Sequence, residues 1–429
     1  MTPGARIAAA IEILSDIETR HRPAADALKD WGLSHRFAGS KDRAALASLV
    51  FDALRCRASA AWIMGVETPR AIVVGSLREM RGLSPDEIAA LCNGEGHSPA
   101  PLSDDQRTRL ETAMLDGAPD HVRGNYPEWL APAFTAAFGD SAAAEGAALA
   151  TRAPLDLRVN RLKATREKAL AALAHLNAQP TPLSPLGLRL PLSDDGRSPS
   201  LAGEPAYVKG LVEIQDEGSQ LAALLCAAQP GEQVLDLCAG GGGKTLALAA
   251  AMDNRGQIYA TDSEARRLAP LYARLERAAT RNVQIRTPRR GQDVLADLEG
   301  RCDLVLVDAP CTGTGTWRRN PDAKWRIRPG ALEQRIKEQD EVLDTAARFV
   351  KPGCRIVYVT CSLLLDENED RITAFLTRHE DFAASSALEV VEAAELPQLA
   401  EFAQGDGLRL SPLTGGTDGF FIASLRRES

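Results

Sequence analysis

The apolar positions of the first 135 residues follow the spacing of helices. In the first segment, apolar side chains recur at steps of three and four residues, at Ile7, Ala10, Ile11 and Leu14. A second run of this kind covers residues 44–54. Such spacing places the apolar side chains on one helix face, and the Gly- and Pro-containing stretches near residues 99 and 117 divide the region into short helices. The pattern predicts an all-α domain over residues 1–135, without strands.

The pattern changes after residue 140. Strand-like alternation occurs at residues 155–160, helical spacing at 163–174, and short strand-like runs at 187–191 and 207–214. Alternation with a period of two is typical of half-buried strands. We therefore expect a small α+β module over residues 140–215.

From residue 214 to the end, short apolar runs alternate with segments of helical spacing. The runs lie at residues 234–237, 258–262, 283–286, 304–308 and 356–360, and a last one follows residue 416. Alternation of this kind predicts mostly parallel strands connected by helices. The fold class predicted for residues 216–429 is α/β, a Rossmann-like doubly wound sheet.

Composition narrows the classes of protein. With 429 residues, 45% of them hydrophobic, the chain can form about two or three domains with sizeable cores. The formal net charge of −8 is not that of a general nucleic-acid binder, but basic residues are concentrated locally. Residues 266–290 hold eight Arg and a single acid, Glu276. A second basic cluster, in residues 152–168, is either a solvated face or a surface that faces RNA.

Targeting and metal signals are weak. No apolar stretch approaches the length of a membrane span, and the amino terminus lacks the apolar core of a signal peptide. The eight Cys form no C-x-x-C pair and only six His are present, so we expect no metal site. Thiols without an export signal suggest a reducing compartment, and we expect a cytoplasmic protein.

A glycine-rich loop at residues 236–245 ends one predicted strand and begins a helix. Glycines let the backbone approach a ligand closely, and a helix N-terminus offers free N–H groups. A P-loop would need Gly where Cys238 stands, and a dinucleotide fingerprint that starts at Gly240 would place its third small residue at Thr245. The third candidate ligand is S-adenosylmethionine, whose loop is less strictly spaced, with Asp262 at the end of the next strand to hold its ribose hydroxyls. A glycine-rich turn without a ligand is the alternative.

Two cysteines follow apolar runs at the ends of predicted strands. Cys311 comes after the run 304–307 and Cys361 after the run 356–359, and Asp308 lies just before the first of them. The carboxyl ends of neighbouring parallel strands meet in one crevice. Methylation of a pyrimidine ring carbon needs this set of groups, because a thiolate must add to C6 before the weakly nucleophilic C5 can attack a methyl donor. A second group must then remove the C5 proton so that the product is released.

These motifs resemble those of the Sun (RsmB-like) RNA cytosine-5 methyltransferases. The resemblance is carried by Asp308-Ala-Pro-Cys311-Thr-Gly-Thr-Gly, by Thr360-Cys361-Ser362 and by the loop that ends in Lys244-Thr245. Further similar segments are Gln215-Asp216-Glu217-Gly-Ser219, Arg319-Asn-Pro-Asp322-Ala-Lys324-Trp325 and Gly416-Thr-Asp418-Gly-Phe420-Phe. Together they cover about residues 150–425, so the resemblance extends over the module and the predicted Rossmann-like methyltransferase domain.

The resemblance implies a role for each residue that matches a family motif. Cys361 is the expected nucleophile, Cys311 assists product release, and Asp308 contacts the cofactor and the base. The expected cofactor-binding residues are Cys238, Ala239, Gly240, Gly241, Gly242, Gly243, Lys244, Asp262, Asp293 and Asp308. The family usually has Pro where Gly241 stands, which leaves the rigidity of this loop in question.

The amino-terminal region also has a family counterpart. Residues 35–43, His-Arg-Phe-Ala-Gly-Ser-Lys-Asp-Arg, lie in the predicted helical domain and resemble the NusB-like RNA-binding domain of many bacterial members. The resemblance thus implies methyl transfer from S-adenosylmethionine to cytosine C5 in RNA, and it favours 16S ribosomal RNA or a small-subunit assembly intermediate as partner. A tRNA substrate and a non-catalytic RNA-binding assembly factor are the alternatives.

The aromatic residues after the first cysteine motif allow two interpretations. Trp317 and Trp325 alternate with basic side chains. They are either core aromatics with exposed neighbours or platforms on which unpaired RNA bases stack.

Overall fold

The chain folds into two compact units. A computed structural model describes residues 1–193 and 198–429. The first unit, here the helical unit, contains Met1–Thr151 and Trp317–Pro329, and the second, the α/β unit, contains Arg152–Thr316 and Gly330–Ser429. The chain therefore passes between the units three times. The domain limits predicted at residues 135, 140 and 215 stay predictions.

The helices of the described residues alternate with strands only after residue 150. They are α1 Pro3–Arg20, α2 Ala24–Ser34, α3 Ser40–Arg55, α4 Arg57–Met64, α5 Pro69–Arg81, α6 Pro85–Leu91, α7 Asp104–Thr112, α8 Asp120–Arg123, α9 Ala131–Phe138, α10 Ala142–Ala150, α11 Arg166–Ala172, α12 Pro205–Val208, α13 Glu217–Leu224, α14 Gly243–Ala251, α15 Ala265–Ala278, α16 Ala323–Arg326, α17 Pro329–Ala347, α18 Glu369–Arg378 and α19 Ala387–Ala393. Residues 1–135, all of which are described, contain no strand. Within the described chain, no helix combines the length and the apolar character that a bilayer crossing requires.

The strands form two sheets, both in the α/β unit. They are β1 Leu155–Val159, β2 Gln179–Pro180, β3 Gly187–Leu190, β4 Val212–Ile214, β5 Gln233–Asp236, β6 Gln257–Ala260, β7 Val283–Ile285, β8 Cys302–Asp308, β9 Val350–Thr360, β10 Phe382–Ser385, β11 Ala403–Gln404, β12 Gly407–Leu410 and β13 Phe420–Arg427. The small sheet has the order β2-β3-β1-β4 and is antiparallel.

The large sheet confirms the predicted doubly wound α/β fold. Its order is β11-β12-β13-β9-β8-β5-β6-β7, with β10 beside β13. The strands β7, β6, β5, β8 and β9 run parallel, and β13 is antiparallel to β9. The chain order reverses between β5 and β8, and ligands of such sheets bind at the carboxyl ends of the strands beside this point.

The sequence explains why the central strands are buried on both faces. Residues 304–307 of β8 are fully buried, as expected for a parallel strand covered by helices on either side. Cys226 and Cys302 are buried core residues as predicted, whereas Cys354 is only half-buried. One prediction was wrong: residues 207–214 do not form a single strand, because the chain first closes the short helix α12 and β4 begins only at Val212.

The helical unit includes a segment from far along the chain. Trp317 is buried and stacks on Phe134 with 5.8 Å between ring centroids. The indole N–H of Trp325 donates to the carbonyl of Leu54 at 2.6 Å. These contacts show that both rings pack within the helical unit, so of the two interpretations the core aromatic applies to Trp317.

Candidate active site

The glycine-rich loop connects β5 to α14 with two glycines in left-handed backbone conformations. Gly240 has φ +51° and Gly242 has φ +83°. A Cβ atom on Gly242 would lie 2.1 Å from Leu271 Cδ1 of α15. A larger residue would therefore strain the backbone and collide with α15. The local sequence thus lets the loop turn closely under α15 before the first turn of α14.

Two carboxylates hold this loop from the carboxyl ends of β5 and β6. Asp262 is buried, and its Oδ2 accepts the backbone N–H of Gly240 at 3.0 Å. Asp236 is also buried and accepts the Thr245 hydroxyl at 2.6 Å. Burial raises the pKa of Asp236 to about 7. The sequence interpretation missed Asp236, although its place as the last residue of the first parallel strand was a usable signal.

Lys244 and Asp308 form an ion pair at the same edge of the sheet. The distance from Lys244 Nζ to Asp308 Oδ2 is 2.7 Å, and the ammonium also lies 5.2 Å from the centre of the Phe420 ring. The Lys244 side chain is 8% exposed and that of Asp308 is 32% exposed. Burial is the largest single effect on the pKa of Lys244 and lowers it, but the charge and hydrogen bond of Asp308, together with Cys361 and Asp236, outweigh burial, and the pKa is raised. Lys244 therefore carries a positive charge beside an accessible carboxylate.

The two predicted thiols come together beside this pair. Cys311 follows β8 and Cys361 follows β9, and these strands are parallel neighbours, so their following loops meet at one edge. The two Sγ atoms are 3.3 Å apart. The hydrogen bond with the Cys361 thiol, together with burial, raises the pKa of Cys311 well above its usual value. The sequence thus predicted correctly that two thiols and a carboxylate follow adjacent strands.

The other predicted cofactor residues have different surroundings. Cys238 and Ala239 lie within the loop, and burial raises the pKa of Cys238. The Gly241 carbonyl accepts from Arg274 at 2.6 Å, and Gly243 is the first residue of α14. Asp293 instead accepts the Leu295 N–H at 3.0 Å and pairs with Arg348 at 3.2 Å. The role expected of Asp293 stays a prediction, without a contact to the glycine-rich loop in the described structure.

Much of the predicted basic surface is used inside the α/β unit. Arg158 is buried and donates to Gln215 at 2.6 Å. Arg274 and Arg277 both pair with the buried carboxylate of Glu213. Other basic side chains of the two clusters are exposed, namely Arg161, Lys168, Arg266, Arg267, Arg281, Arg289 and Arg290. These exposed side chains can meet an anionic partner, although Arg266 also pairs with Glu264 and Arg267 with Asp262.

The loop fits S-adenosylmethionine. The carboxylate oxygen Oδ1 of Asp236 is buried without a hydrogen-bond partner among the described residues, and the loop backbone beside it tolerates no side chain at Gly242. Backbone N–H groups at the start of α14 and the Asp262 carboxylate are suited to a ligand with hydroxyl and carboxylate groups. In the parts of the chain that the structure describes, no cluster of three or more His, Cys, Asp or Glu is arranged to hold a metal ion.

Comparison with known proteins gives consistent results. The model of the 16S rRNA methyltransferase RsmB/F family matches residues 223–426, and that of the ferredoxin-like domain of RsmF/B-like methyltransferases matches residues 126–193. The ribosomal RNA small subunit methyltransferase B of Sodalis glossinidius is 33% identical over 335 residues, which are 76% of this chain and 71% of that protein. The chain belongs to the RsmB/F methyltransferase family.

Further similarities extend over the same regions. The methyltransferase B of Erwinia tasmaniensis is 32% identical over 328 residues, 75% of this chain and 70% of that protein. The crystal structure of PH0851 has a TM-score of 0.72 at 24% identity and covers 100% of this chain and 99% of its own, which shows a common fold. This RsmB/F family member is an S-adenosylmethionine-dependent RNA methyltransferase.

Proposed function

We propose that this family member transfers a methyl group to C5 of a cytosine in small-subunit ribosomal RNA through a covalent cysteine adduct. The observation that carries the proposal is the pair of thiols 3.3 Å apart, at the sheet edge that also holds the Lys244–Asp308 ion pair. Methyl transfer to a nitrogen or an oxygen needs no such pair, because those atoms have lone pairs with which to attack.

Cys361 acts as the nucleophile in this proposal. Its thiolate bonds to C6 of the cytosine, and the C5–C6 π electrons become available at C5 as an enamine. Bound S-adenosylmethionine supplies an electrophilic methyl group to C5. A base then takes the C5 proton, the C5–C6 double bond reforms, and the electron pair of the C6–S bond leaves with the Cys361 sulfur as a thiolate. Cys311, whose thiol lies beside that of Cys361, assists this last step.

Lys244 and Asp308 stabilise the ring while it carries charge. Asp308 is partly exposed and can accept a hydrogen bond from the exocyclic amine or from a protonated N3. Its negative charge stabilises the positive charge that develops there. Lys244 fixes the orientation of that carboxylate and keeps a positive charge close to the thiolate. Asp236 and Asp262, with Cys238 to Lys244, hold the cofactor.

The proposed substrate is RNA of the small ribosomal subunit. Relatives named ribosomal RNA small subunit methyltransferase B favour ribosomal RNA of the small subunit, and the exposed arginines of the α/β unit supply charges for its phosphates. The helical domain over residues 1–135 serves as a second RNA-binding part. The target base must leave its stack to meet Cys361, at a cost of about a few kcal/mol. The place of action is the cytoplasm, where thiols stay reduced.

Labelled methyl transfer to RNA tests the proposal. Wild type, Cys361→Ala and Cys311→Ala are compared for 5-methylcytosine and for protein–RNA adducts that resist denaturation. We expect no transfer by Cys361→Ala, and an adduct that accumulates with Cys311→Ala because Cys361 cannot be expelled. Sequencing of the trapped RNA then distinguishes ribosomal RNA from tRNA. Undiminished 5-methylcytosine from Cys361→Ala would contradict the mechanism, and a wild type without transfer would favour a non-catalytic assembly factor.

A further inference from the structure

A buried carboxylate connects the loops that carry the two thiols. The Cys361 loop (residues 361–368) contains Glu367, whose side chain has no exposed surface. Its Oε1 accepts the backbone N–H of Thr312 at 2.8 Å, and its Oε2 accepts the Thr312 hydroxyl. Thr312 directly follows Cys311 in the Cys311 loop (residues 309–316). A charged side chain of one loop thus holds the residue beside the thiol of the other.

A buried amide completes the arrangement from α17. Gln339 also has no exposed surface. Its Nε2 donates to Glu367 Oε1 at 3.0 Å and to the carbonyl of Pro310 at 2.9 Å. The peptide groups on both sides of Cys311 are therefore fixed by one carboxylate–amide pair. The amide is held through Nε2 alone, because Gln339 Oε1 is buried without a hydrogen-bond partner among the described residues.

Other contacts between the two loops involve neutral groups, and one of them places the Ser362 hydroxyl 3.5 Å from that of Thr312. Gly315 donates its N–H to the carbonyl of Cys361 at 2.9 Å, and Leu363 donates its N–H to the Thr314 hydroxyl at 2.8 Å. These bonds join the loops but do not touch the peptides that flank Cys311. Glu367 and Gln339 are thus the side chains that hold the two peptide groups flanking Cys311.

Glu367 also differentiates two thiols that are otherwise close. The pKa of Cys311 is raised first by its hydrogen bond with Cys361 and by burial, and the negative charge of Glu367 adds to the same effect. Cys311 therefore remains a neutral thiol beside Cys361. A neutral thiol at a fixed place can hydrogen-bond or exchange a proton, whereas a second thiolate would compete for the base.

We propose that Glu367 is a positioning residue that, through Thr312 and Gln339, places Cys311 for the release of the methylated base. The inference rests on the proposed function, in which Cys361 forms the covalent bond and Cys311 assists its cleavage. Glu367 does not touch the base itself. Its loss should slow the late cleavage step and leave the early addition step in place.

The test compares Glu367→Ala with Glu367→Gln in the full-length protein. Gln retains an Oε1 that can accept from Thr312 and Gln339, whereas Ala removes the acceptor. Misplacement of a reacting group by about 1 Å can cost on the order of 100-fold in rate, and we expect Glu367→Ala to slow product release by about that factor. It should accumulate a denaturation-resistant RNA adduct, as we expect of Cys311→Ala. Glu367→Gln should release product at close to the wild-type rate.

Two further variants separate positioning from a loss of structure. Asp370→Asn removes a carboxylate from the exposed face of α18, close to Glu367 in sequence, and should match the wild type. Gln339→Met removes the donor to Pro310 and to Glu367, and it should also accumulate the adduct. This variant carries the test if Glu367→Ala fails to fold. Thermal unfolding and S-adenosylmethionine affinity identify variants that are folded.

The outcomes are distinguishable from failure of the proposed function. If the wild type forms 5-methylcytosine but folded Glu367→Ala releases it at the wild-type rate, the positioning role is wrong. The same holds if folded Glu367→Ala binds cofactor but forms no adduct, because the defect would then lie in the addition step. A wild type that forms neither product nor adduct would refute the proposed function instead.

Discussion

At the scale of single residues, the two thiols differ in surroundings although their sulfur atoms are 3.3 Å apart. Cys361 lies close enough to Lys244 for their charges to interact, whereas Cys311 is next to the buried carboxylate of Glu367. The negative neighbour opposes ionisation of the Cys311 thiol. This difference supports the proposed division of roles better than the motifs alone could.

The separation of the thiols predicts selective oxidation of this pair. A disulfide needs two sulfur atoms about 2.05 Å apart, so a small movement suffices. Diamide should accept one hydrogen from each of Cys311 and Cys361, so that the two sulfur atoms form a disulfide. Methyl transfer should then be abolished, and dithiothreitol should restore it. Mass spectrometry of non-reduced peptides detects the linked pair. Cys354→Ser removes another half-buried thiol, and this variant should be oxidised and inactivated like the wild type. Inactivation by diamide without a Cys311–Cys361 linkage would contradict the prediction.

At the scale of elements, strand ends and tight turns position the site. The ends of β5, β6, β8 and β9 followed from apolar runs, and so the positions of Asp262, Asp308 and the two cysteines could be predicted from the sequence. Glu367 and Gln339 could not, because their partners lie 55 and 28 residues away along the chain. Such contacts depend on how the loops meet after folding, which no local pattern specifies.

The glycine-rich turn makes a prediction at this scale. Gly242→Ala should lower both the stability of the α/β unit and its affinity for S-adenosylmethionine. The left-handed conformation alone costs a non-glycine residue about 1–2 kcal/mol, and the new Cβ would lie 2.1 Å from Leu271 Cδ1. Calorimetry measures the affinity for S-adenosylmethionine, and thermal unfolding measures the stability. Gly241→Ala is the matched control for stability, since its φ is not left-handed and its Cβ would meet only Arg274 Nη1 at 3.4 Å. An equal loss of stability in both variants would exclude this explanation.

At the scale of the whole molecule, the chain returns to its helical unit after more than 160 residues of the α/β unit. Trp317–Pro329 belongs to the helical unit, so that unit is complete only when both parts of the chain have folded. The sequence placed the Arg319–Trp325 motif in the methyltransferase domain, since it follows Cys311 directly. Chain order could not show that Trp317 stacks on Phe134 or that Trp325 donates to Leu54.

Lys324 makes the stability of the helical unit dependent on pH. Its ammonium is 1% exposed and donates to the carbonyl of Arg55 at 2.8 Å. Burial, assisted by repulsion from Arg55, lowers the pKa of Lys324 from its ordinary 10.5 to about 7. Between these two pH values the unfolded chain binds a proton that the folded chain does not. The free energy of unfolding therefore rises with pH across this window and falls as the pH drops toward 7.

Urea unfolding followed by tryptophan fluorescence can measure this dependence. Above pH 9, ionisation of buried thiols acts in the opposite direction, so the informative range is pH 7 to 9. The contribution of Lys324 approaches ~1.4 kcal/mol per pH unit for one proton, and Lys324→Met should remove it from the slope. Lys29→Met, on the exposed face of α2, should retain the wild-type slope. Parallel curves for wild type and Lys324→Met would mean that Lys324 keeps its proton in the folded protein, held by the carbonyl of Arg55 despite its burial.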